Sequence, residues 1–392
     1  MVPRDLQRAL LHWAKVYPVV TITGPRQSGK TTLCLQSFPK KPYISLEPLD
    51  TRSFASEDPR GFLAQFPKGA VLDEVQRSPG LLGYVQEHVD RKKGPGQFIL
   101  TGSQQLNLSE AVSQSLAGRT AILHLLPPSW GELQRFSKIP KDLYSALFSG
   151  AYPRIHDQKI PPARWLSDYL ATYVQRDVRQ VLKVGDLETF ITFLRLCAGS
   201  SAQELNLARL GADAGISQPT AKAWLSVLEA SFICVRVPAW HANLRKRLVK
   251  SPKLHFLDSG LLCHLLGIQE AAQLQQHPLR GAIFESWVAS ELLKQRHHRG
   301  LRPEPFHYRE ISGTEVDLLV RDGNNFLLAE AKSGQTMDGS FLAPLLETQA
   351  RLEATHPHTT WKKALIYGGD QAYTRQGVSV VPWRNIENLA PK

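Results

Sequence analysis

Cysteines and long apolar runs are scarce in this sequence. Only four cysteines occur among 392 residues, and no two of them have C-x-x-C spacing. This pattern argues against a zinc site and fits a reducing cytoplasm. No apolar run approaches the roughly 20 residues that a membrane-spanning helix needs, and the N-terminus lacks a secretory apolar core. We therefore expect a cytoplasmic protein with no membrane partner.

Positive charge exceeds negative charge along the chain. The 47 Lys and Arg residues against 35 Asp and Glu residues give a formal net charge of +12. A basic protein suits a partner with a phosphate backbone, because each neutralised phosphate releases counterions. The charge favours DNA as a partner, although many basic proteins bind no nucleic acid. The length favours two or three domains.

Residues 24–31 read G-P-R-Q-S-G-K-T, the pattern of a P-loop, and follow a short apolar, β-branched stretch at residues 17–23. The two glycines allow backbone turns that point N–H groups at phosphate oxygens. Lys30 would contact the β- and γ-phosphates, and Thr31 would offer its hydroxyl to Mg²⁺. We expect nucleotide contacts from Gly24, Arg26, Gln27, Ser28, Gly29, Lys30, Thr31 and Thr32.

A second strand ends in two carboxylates. Residues 69–72 are apolar and precede Asp73 and Glu74. This is the pattern of a Walker B strand, in which Asp73 would hold Mg²⁺ and Glu74 would orient or deprotonate the attacking water. The alternative is a strand followed by an acidic surface turn, which the neighbouring P-loop disfavours.

A third strand, at residues 97–103, ends in polar side chains. Ser103 is the first candidate for a γ-phosphate sensor and Thr101 the second. A polar strand end that caps the next helix explains the same residues equally well. Arg119 is a candidate to complete the nucleotide site of its own chain or of a neighbour. The alternative for Arg119 is an ordinary surface arginine.

The middle of the chain predicts a helix-turn-helix. Residues 205–214 and 217–228 have helical character, with a turn at Gly215 and Ser217 as the N-cap of the second helix. A strand-like stretch and a basic cluster follow: Arg245, Lys246, Arg247 and Lys250. The second helix would contact DNA, or it would serve only packing or protein contact, because Lys222 is its one cation.

Four residues in the last third have the pattern of a PD-(D/E)XK nuclease. Glu285 lies on an amphipathic helix, Asp317 on a strand, and Glu330 and Lys332 at the end of the next strand. Alternation places Glu330 and Lys332 on one face, and a hairpin would bring Asp317 beside them. The three acids could hold Mg²⁺ or Mn²⁺, and Lys332 could stabilise charge at a scissile phosphate. Solvent-facing acids are the alternative.

Together these motifs resemble a widespread prokaryotic family of AAA-type ATP-binding proteins that carry a C-terminal winged helix and a restriction-endonuclease-like domain. Further support comes from residues 117–119, 173–177, 257–261 and 364–369 and from Tyr169. The resemblance implies an α/β fold, with a parallel P-loop sheet followed by a helical or winged-helix segment and a nuclease-like α/β domain. We expect the domains at residues 1–155, 156–270 and 271–392.

The resemblance implies an Mg²⁺-dependent ATPase coupled to a DNA-binding C-terminal region, with DNA cleavage left open. The alternative is a nucleotide-dependent switch or assembly platform whose nuclease-like domain binds protein or DNA without cleaving it. AAA-type sites often need a residue from the next subunit, so we expect a homo-oligomer, with a hexamer among the options. The candidate arginine fingers are Arg119, Arg176 and Arg179.

Overall fold

The computed structural model describes residues 2–103, 115–173, 187–240, 251–310, 313–356 and 358–389. Contacts divide the chain into two compact units, of which the first runs to Pro128 and also includes Ala230–Phe232 and His297–Leu301. The predicted domain boundaries at residues 155 and 270 stay predictions. Several predicted functional residues lie outside the described residues: Arg176, Arg179, Arg245, Lys246, Arg247 and Lys250.

The first unit contains a five-stranded sheet. Its strands are β1 (Val19–Thr23), β2 (Tyr43–Ser45), β3 (Val71–Asp73), β4 (Phe98–Gly102) and β5 (Thr120–His124). Their spatial order is β2-β3-β4-β1-β5, and every neighbouring pair is parallel. The predicted α/β class with a parallel P-loop sheet is therefore confirmed. Because parallel strands end at one edge, the ends of β1, β3 and β4 lie side by side.

Apolar side chains cover both faces of this sheet. Val19 packs in one cluster with Leu100, whereas the next residue, Val20, packs in another with Ile99. Successive strand residues point to opposite faces, so the continuous apolar strand buries both sides under helices. The helices described in the first unit are Leu6–Trp13, Lys30–Ser37, Leu49–Glu57, Pro59–Ala64 and Leu81–Arg91, with a 3₁₀ helix at Val75–Arg77.

The second unit begins with helices. They are Trp130–Leu133, Leu143–Ser149, Pro153–Gln158, Pro162–Tyr173, Leu187–Gly199, Leu207–Asp213, Gln218–Ala230 and Ser259–Leu265, with a 3₁₀ helix at Ala271–Gln275. Two antiparallel strands, β6 (Cys234–Val237) and β7 (Lys253–Phe256), follow the helix that ends at Ala230. Gly215, at φ 70°, makes the turn before that helix, and the Ser217 side chain accepts a hydrogen bond from Thr220 N at 3.2 Å. The predicted helix, turn and helix are thus present.

The motif at residues 257–261 has a structural role. The Asp258 carboxylate caps the helix Ser259–Leu265 and accepts a 2.7 Å hydrogen bond from Ala151 N. A Cβ on Gly260 would lie 2.8 Å from Gly150 N, so only glycine permits this close backbone contact. These residues join two segments of the helical region that are distant in sequence. The contacts of Asp258 and Gly260 are therefore packing contacts.

The second unit ends in a mixed six-stranded sheet. Its strands are β8 (Pro305–Arg309), β9 (Glu315–Asp322), β10 (Asn325–Lys332), β11 (Thr360–Tyr367), β12 (Tyr373–Arg375) and β13 (Val378–Pro382). The order is β12-β13-β11-β10-β9-β8. Helices Arg280–His297 and Ala343–Thr355 and two 3₁₀ helices, Gly339–Leu342 and Trp383–Leu389, accompany them. The helix Ala343–Thr355 lies in the crossover between the parallel strands β10 and β11.

The hairpin of β9 and β10 follows the predicted turn. Asp322 pairs with Asn325, which leaves Gly323 and Asn324 as a two-residue loop. Gly323 has a φ of 61°, a conformation that favours glycine at the first position of such a loop. The hairpin prediction is confirmed. Within the described residues, no helix is both long enough and apolar enough to cross a membrane.

Candidate functional site

The P-loop joins β1 to the helix Lys30–Ser37. A Cβ on Gly24 would lie 2.1 Å from the Leu125 carbonyl oxygen, so the loop can turn only with glycine there. Gly29 has a φ of 95° and precedes the helix directly. The turn prepares backbone N–H groups and a helix N-terminus for an anion. Ser28 is buried, Arg26 is half-buried, and Gln27 and Thr32 are exposed.

Lys30 is folded over the loop. Its Nζ donates hydrogen bonds to the carbonyl oxygens of Gly24 at 2.9 Å and Pro25 at 2.8 Å. Burial of the ammonium group lowers the pKa of Lys30 to about 8, against the opposing charges of Glu74 and Asp73. The side chain thus lies at the loop, where a phosphate would favour its charged form.

Hydroxyl groups surround Asp73 at the end of β3. Its carboxylate accepts hydrogen bonds from Thr31 Oγ1 at 3.0 Å, from Tyr43 OH at 2.6 Å and from Thr101 Oγ1. The predicted pair Thr31 and Asp73 therefore comes together, and its hard oxygen atoms fit Mg²⁺. Tyr43 was not predicted, because a tyrosine at the start of a short strand has no motif around it.

Glu74 and Ser103 also meet at this edge of the sheet. Ser103 Oγ lies 3.1 Å from Glu74 Oε2, and Gln76 Nε2 donates to the same carboxylate. Glu74 has a left-handed backbone, with φ 59° and ψ 43°, which is rare for a non-glycine residue and is often found at functional sites. Glu74 and Ser103, the first sensor candidate, are therefore close enough to act on the same water or phosphate group.

Arg119 lies where the parallel strands begin, at the opposite end of the strands from the P-loop. Its carbonyl oxygen accepts a hydrogen bond from Val19 N at the start of β1, whereas the P-loop follows the end of β1. A five-residue strand spans roughly 17 Å, which is too far for a side chain to cross to its own nucleotide. The guanidinium instead pairs with Asp90 at 2.7 Å. The hypothesis that Arg119 completes its own site is wrong, and a role at a neighbour's site stays a prediction.

Arg4 supports the P-loop from the N-terminal segment. Its guanidinium donates to Ser28 O at 2.7 Å and to Leu126 O at 2.8 Å, and the residue is 7% exposed. It therefore links the loop to the segment after β5. The sequence offered no sign of this role, because Arg4 precedes every recognisable motif.

The four predicted nuclease-like residues line one cavity of about 530 Å³ in the second unit. The pairing of β9 with β10 places Asp317 beside Glu330, and Asp317 Oδ2 accepts a hydrogen bond from Ala331 N at 2.9 Å. Lys332 Nζ donates to Glu330 Oε1 at 2.5 Å, as expected for residues two apart on one strand face. Glu285 reaches the same cavity from the helix Arg280–His297.

A lysine that was not predicted lies among these acids. Lys253 Nζ is 2.6 Å from Glu315 Oε1 and 2.9 Å from Glu285 Oε1. Asp317 Oδ1 lies 3.8 Å from the same nitrogen. Burial lowers the pKa of Lys253, but the charges of the three surrounding carboxylates outweigh it and raise that pKa above its ordinary value.

Two of the acids in this cavity hold their protons more tightly than an exposed glutamate does. Burial, reinforced by the charge of Asp317, raises the pKa of Glu285 to about 8 and that of Glu330 to about 7. Within the described residues, no group of three or more His, Cys, Asp or Glu side chains is arranged to hold a metal ion. The prediction that Glu285, Asp317 and Glu330 hold a metal together stays a prediction, and in the described arrangement the Lys253 ammonium lies among the acids.

Comparison with known proteins identifies three segments. Residues 16–134 match the model of the "AAA domain". Residues 140–272 match "Domain of unknown function (DUF8612)" and residues 280–386 match "Domain of unknown function (DUF4143)". The curated relatives include "Uncharacterized protein Rv2008c" of Mycobacterium tuberculosis and "Uncharacterized protein Mb2031c" of Mycobacterium bovis. Each is 30% identical over 357 residues, which cover 89% of this chain and 78% of the relative.

The chain belongs to the same family of AAA-domain proteins as these two mycobacterial relatives. Its AAA domain coincides with the parallel sheet and the P-loop, so the protein is an AAA-type P-loop ATPase.

Solved structures show weaker likeness. "The walker-type atpase paby2304 of pyrococcus abyssi" is 15% identical and covers 67% of this chain and 94% of its own, with a TM-score of 0.44. A protein titled "DNA replication initiation factor" is 14% identical and covers 53% of this chain and 68% of its own, with a TM-score of 0.30. The fold assignment of this chain stands on its own strand order and P-loop.

Proposed function

We propose that this protein binds and hydrolyses Mg²⁺-ATP at the P-loop edge of its parallel sheet. The observation that carries the proposal is the position of Asp73, which meets the Thr31 hydroxyl at 3.0 Å beside the buried Lys30. Thr31 and Asp73 would hold Mg²⁺, which neutralises phosphate charge when bound. Lys30 would leave the carbonyl oxygens of its loop and donate to the phosphates.

Glu74 is the proposed general base. It follows Asp73 directly and contacts Ser103. Glu74 would receive a proton from the attacking water, while Asp73 would stay ionised at the metal. Ser103 and Thr101 would orient Glu74, the water or the γ-phosphate.

The substitution Glu74→Gln tests this assignment. It preserves size and hydrogen bonding but removes the base, so we expect ATP binding to persist while turnover falls by a factor of about 10² to 10⁴. Phosphate release and binding of a fluorescent ATP analogue measure the two effects. The matched control is Glu57→Gln, at an exposed position. Unchanged turnover in Glu74→Gln would assign the base elsewhere.

We further propose that the second unit binds DNA and that the nucleotide state of the AAA domain governs this binding. Support comes from the net charge of +12 and from the helix, turn and helix that precede β6. This element would be the winged helix of the family resemblance. Lys222 is exposed on its second helix.

Fluorescence anisotropy with a labelled duplex tests the DNA proposal. We expect binding at about 50 mM salt that weakens steeply toward about 200 mM, because phosphate contacts release counterions. DNA should also change the rate of phosphate release from ATP. Absence of binding at the lower salt concentration would contradict the proposal and would leave protein as the partner class.

Two versions of the nuclease-like domain remain to be distinguished. Asp317, Glu330 and Lys332 line one cavity, which favours a DNA-cleaving domain. The Lys253 ammonium among the acids favours the other version, a nucleotide-dependent switch or assembly platform whose domain binds without cleaving. We propose the non-cleaving version, because metal-dependent cleavage needs the carboxylates that Lys253 engages.

We also propose that the protein assembles into a homo-oligomer. Arg119 is partly exposed at the edge of the sheet opposite its own P-loop, where it could meet the site of a neighbouring subunit. Mass photometry with and without ATP tests this proposal. A larger species with ATP is expected, and a monomer under both conditions would contradict it.

A further inference from the structure

Lys253 is held firmly inside the acidic cavity of the second unit. It is 3% exposed, and β7 fixes its backbone through the pairing of Lys253 with Val237. On the other side, Glu204 forms an isolated bridge with Lys253, and Leu205 N donates to Pro252 O at 2.8 Å. The ammonium is therefore placed by two flanking chain segments and differs from a mobile surface lysine.

The contacts of the ammonium are those of a bound cation. Its nitrogen lies within 4 Å of carboxylate oxygens from Glu285, Glu315 and Asp317. A hard divalent cation seeks the same oxygen atoms, and a second positive charge beside the ammonium is strongly disfavoured in a buried site. The lysine and a divalent ion therefore compete for one set of ligands.

We propose that Lys253 is the resident cation of this cluster and that it excludes divalent metal ions from the nuclease-like cavity. The inference does not depend on ATP hydrolysis at the P-loop. The acids form a latent metal site, which becomes available to Mg²⁺ or Mn²⁺ only when the ammonium is removed.

One further oxygen atom supports a latent site. Glu330 is 5% exposed, its Oε1 accepts a hydrogen bond from Lys332, and its Oε2 is buried with no hydrogen-bond partner among the described residues. An unpartnered buried carboxylate oxygen is costly in a folded protein. With Lys253 removed, this oxygen and Asp317 would be free to share a divalent ion with Glu285.

Counting bound Mn²⁺ by electron paramagnetic resonance tests the proposal on the nucleotide-free full chain. Lys253→Met removes the charge but keeps most of the apolar stem. We expect the variant to bind one Mn²⁺ per chain more than the wild type, and the double variant Lys253→Met with Asp317→Asn to lose about tenfold or more of that affinity. Any Mn²⁺ at the P-loop cancels in the difference, because all variants share that site.

The matched control is Lys294→Met. Lys294 is also buried, at 1% exposed, but it pairs with one carboxylate, Glu291, at 2.9 Å. Removal of this ammonium should create no Mn²⁺ site, since one carboxylate is too few ligands. A gain in Lys294→Met equal to that in Lys253→Met would show a nonspecific effect of lost charge and would overturn the proposal.

If circular dichroism shows that Lys253→Met does not fold, variants that keep Lys253 test the proposal instead. Wild type, Asp317→Asn and Glu285→Gln should then bind equal amounts of Mn²⁺, because the wild-type cluster holds none. Mn²⁺ binding in the wild type that either acid variant removes would overturn the proposal. A folded Lys253→Met that binds no more Mn²⁺ than the wild type would overturn it as well.

Discussion

The two acidic sites of the chain differ in the donors that meet their carboxylates. At the end of β3, Asp73 receives hydrogen bonds from the neutral hydroxyls of Thr31, Tyr43 and Thr101. In the second unit, the ammonium group of Lys253 engages the carboxylates directly. Hydroxyl donors leave the negative charge of Asp73 available to a metal ion. The Lys253 ammonium, in contrast, compensates the negative charge of the carboxylates around it. An acid at the end of a strand is therefore not by itself a metal site.

The same contrast applies to two buried lysines, Lys30 at the first site and Lys253 at the second. Burial lowers the pKa of Lys30, whose Nζ donates to backbone carbonyl oxygens. The surrounding carboxylates outweigh burial and raise the pKa of Lys253. Lys30 would gain its favourable partner only when a phosphate arrives, and Lys253 already has its partners in the folded chain.

The largest effect is expected from Lys30→Ala. Loss of the phosphate-binding ammonium should lower ATP turnover by about a hundredfold or more. Phosphate release with saturating Mg²⁺-ATP measures the loss. Lys40→Ala, at an exposed position of the same unit, is the matched control and should turn over ATP normally. Full activity in Lys30→Ala would contradict the assignment of the P-loop edge as the nucleotide site. The contrast between a metal-binding site there and a lysine-filled site in the second unit would then no longer hold.

Stability sharpens the comparison next. Lys253→Met leaves three carboxylates without their buried cation, and we expect a loss of about 3–5 kcal/mol from the second unit. Asp73→Asn keeps an acceptor for the three hydroxyls, so it should change stability by less than about 1 kcal/mol. Urea unfolding followed by circular dichroism compares the midpoints. Equal midpoint shifts in the two variants would mean that Lys253 stabilises its carboxylates no more than the hydroxyl groups stabilise Asp73.

A smaller effect should appear with pH. Burial lowers the pKa of Lys30 to about 8, so the nucleotide-free protein loses this charge as the pH rises through 8. ATP favours the charged form, and its affinity should therefore fall above pH 8 by up to about tenfold per pH unit, with proton uptake on binding. Calorimetry in buffers of different ionisation enthalpy measures the uptake. Constant affinity up to about pH 10, the ordinary lysine range, would contradict the burial of Lys30.

Much of the first site could be predicted because its residues lie in short motifs. The P-loop and the pair Asp73 and Glu74 are local patterns, and a parallel sheet brings the ends of their strands together. The placement of Arg119 failed for a related reason. It precedes β5, so it lies at the edge where the strands begin, and strand order alone could have shown this.

The second site was predicted only in part. The hairpin and the alternation along β10 brought Asp317, Glu330 and Lys332 into one cavity, as the spacing indicated. Lys253 could not be predicted, because it comes from a distant strand and reads as an ordinary residue of an apolar stretch. Its role depends on tertiary packing, which no spacing within one motif reveals. Arg4 was missed for the same reason.

One measurement tests the contrast between the two sites most directly. Phosphate release and plasmid nicking are followed in the same tubes, with Mg²⁺-ATP, for the wild type, Asp73→Asn and Asp317→Asn. We predict that phosphate release is lost in Asp73→Asn, persists in Asp317→Asn, and is accompanied by no nicking in any tube. Nicking by the wild type that disappears in Asp317→Asn would contradict the account, because it would show that the second site uses a metal ion despite Lys253.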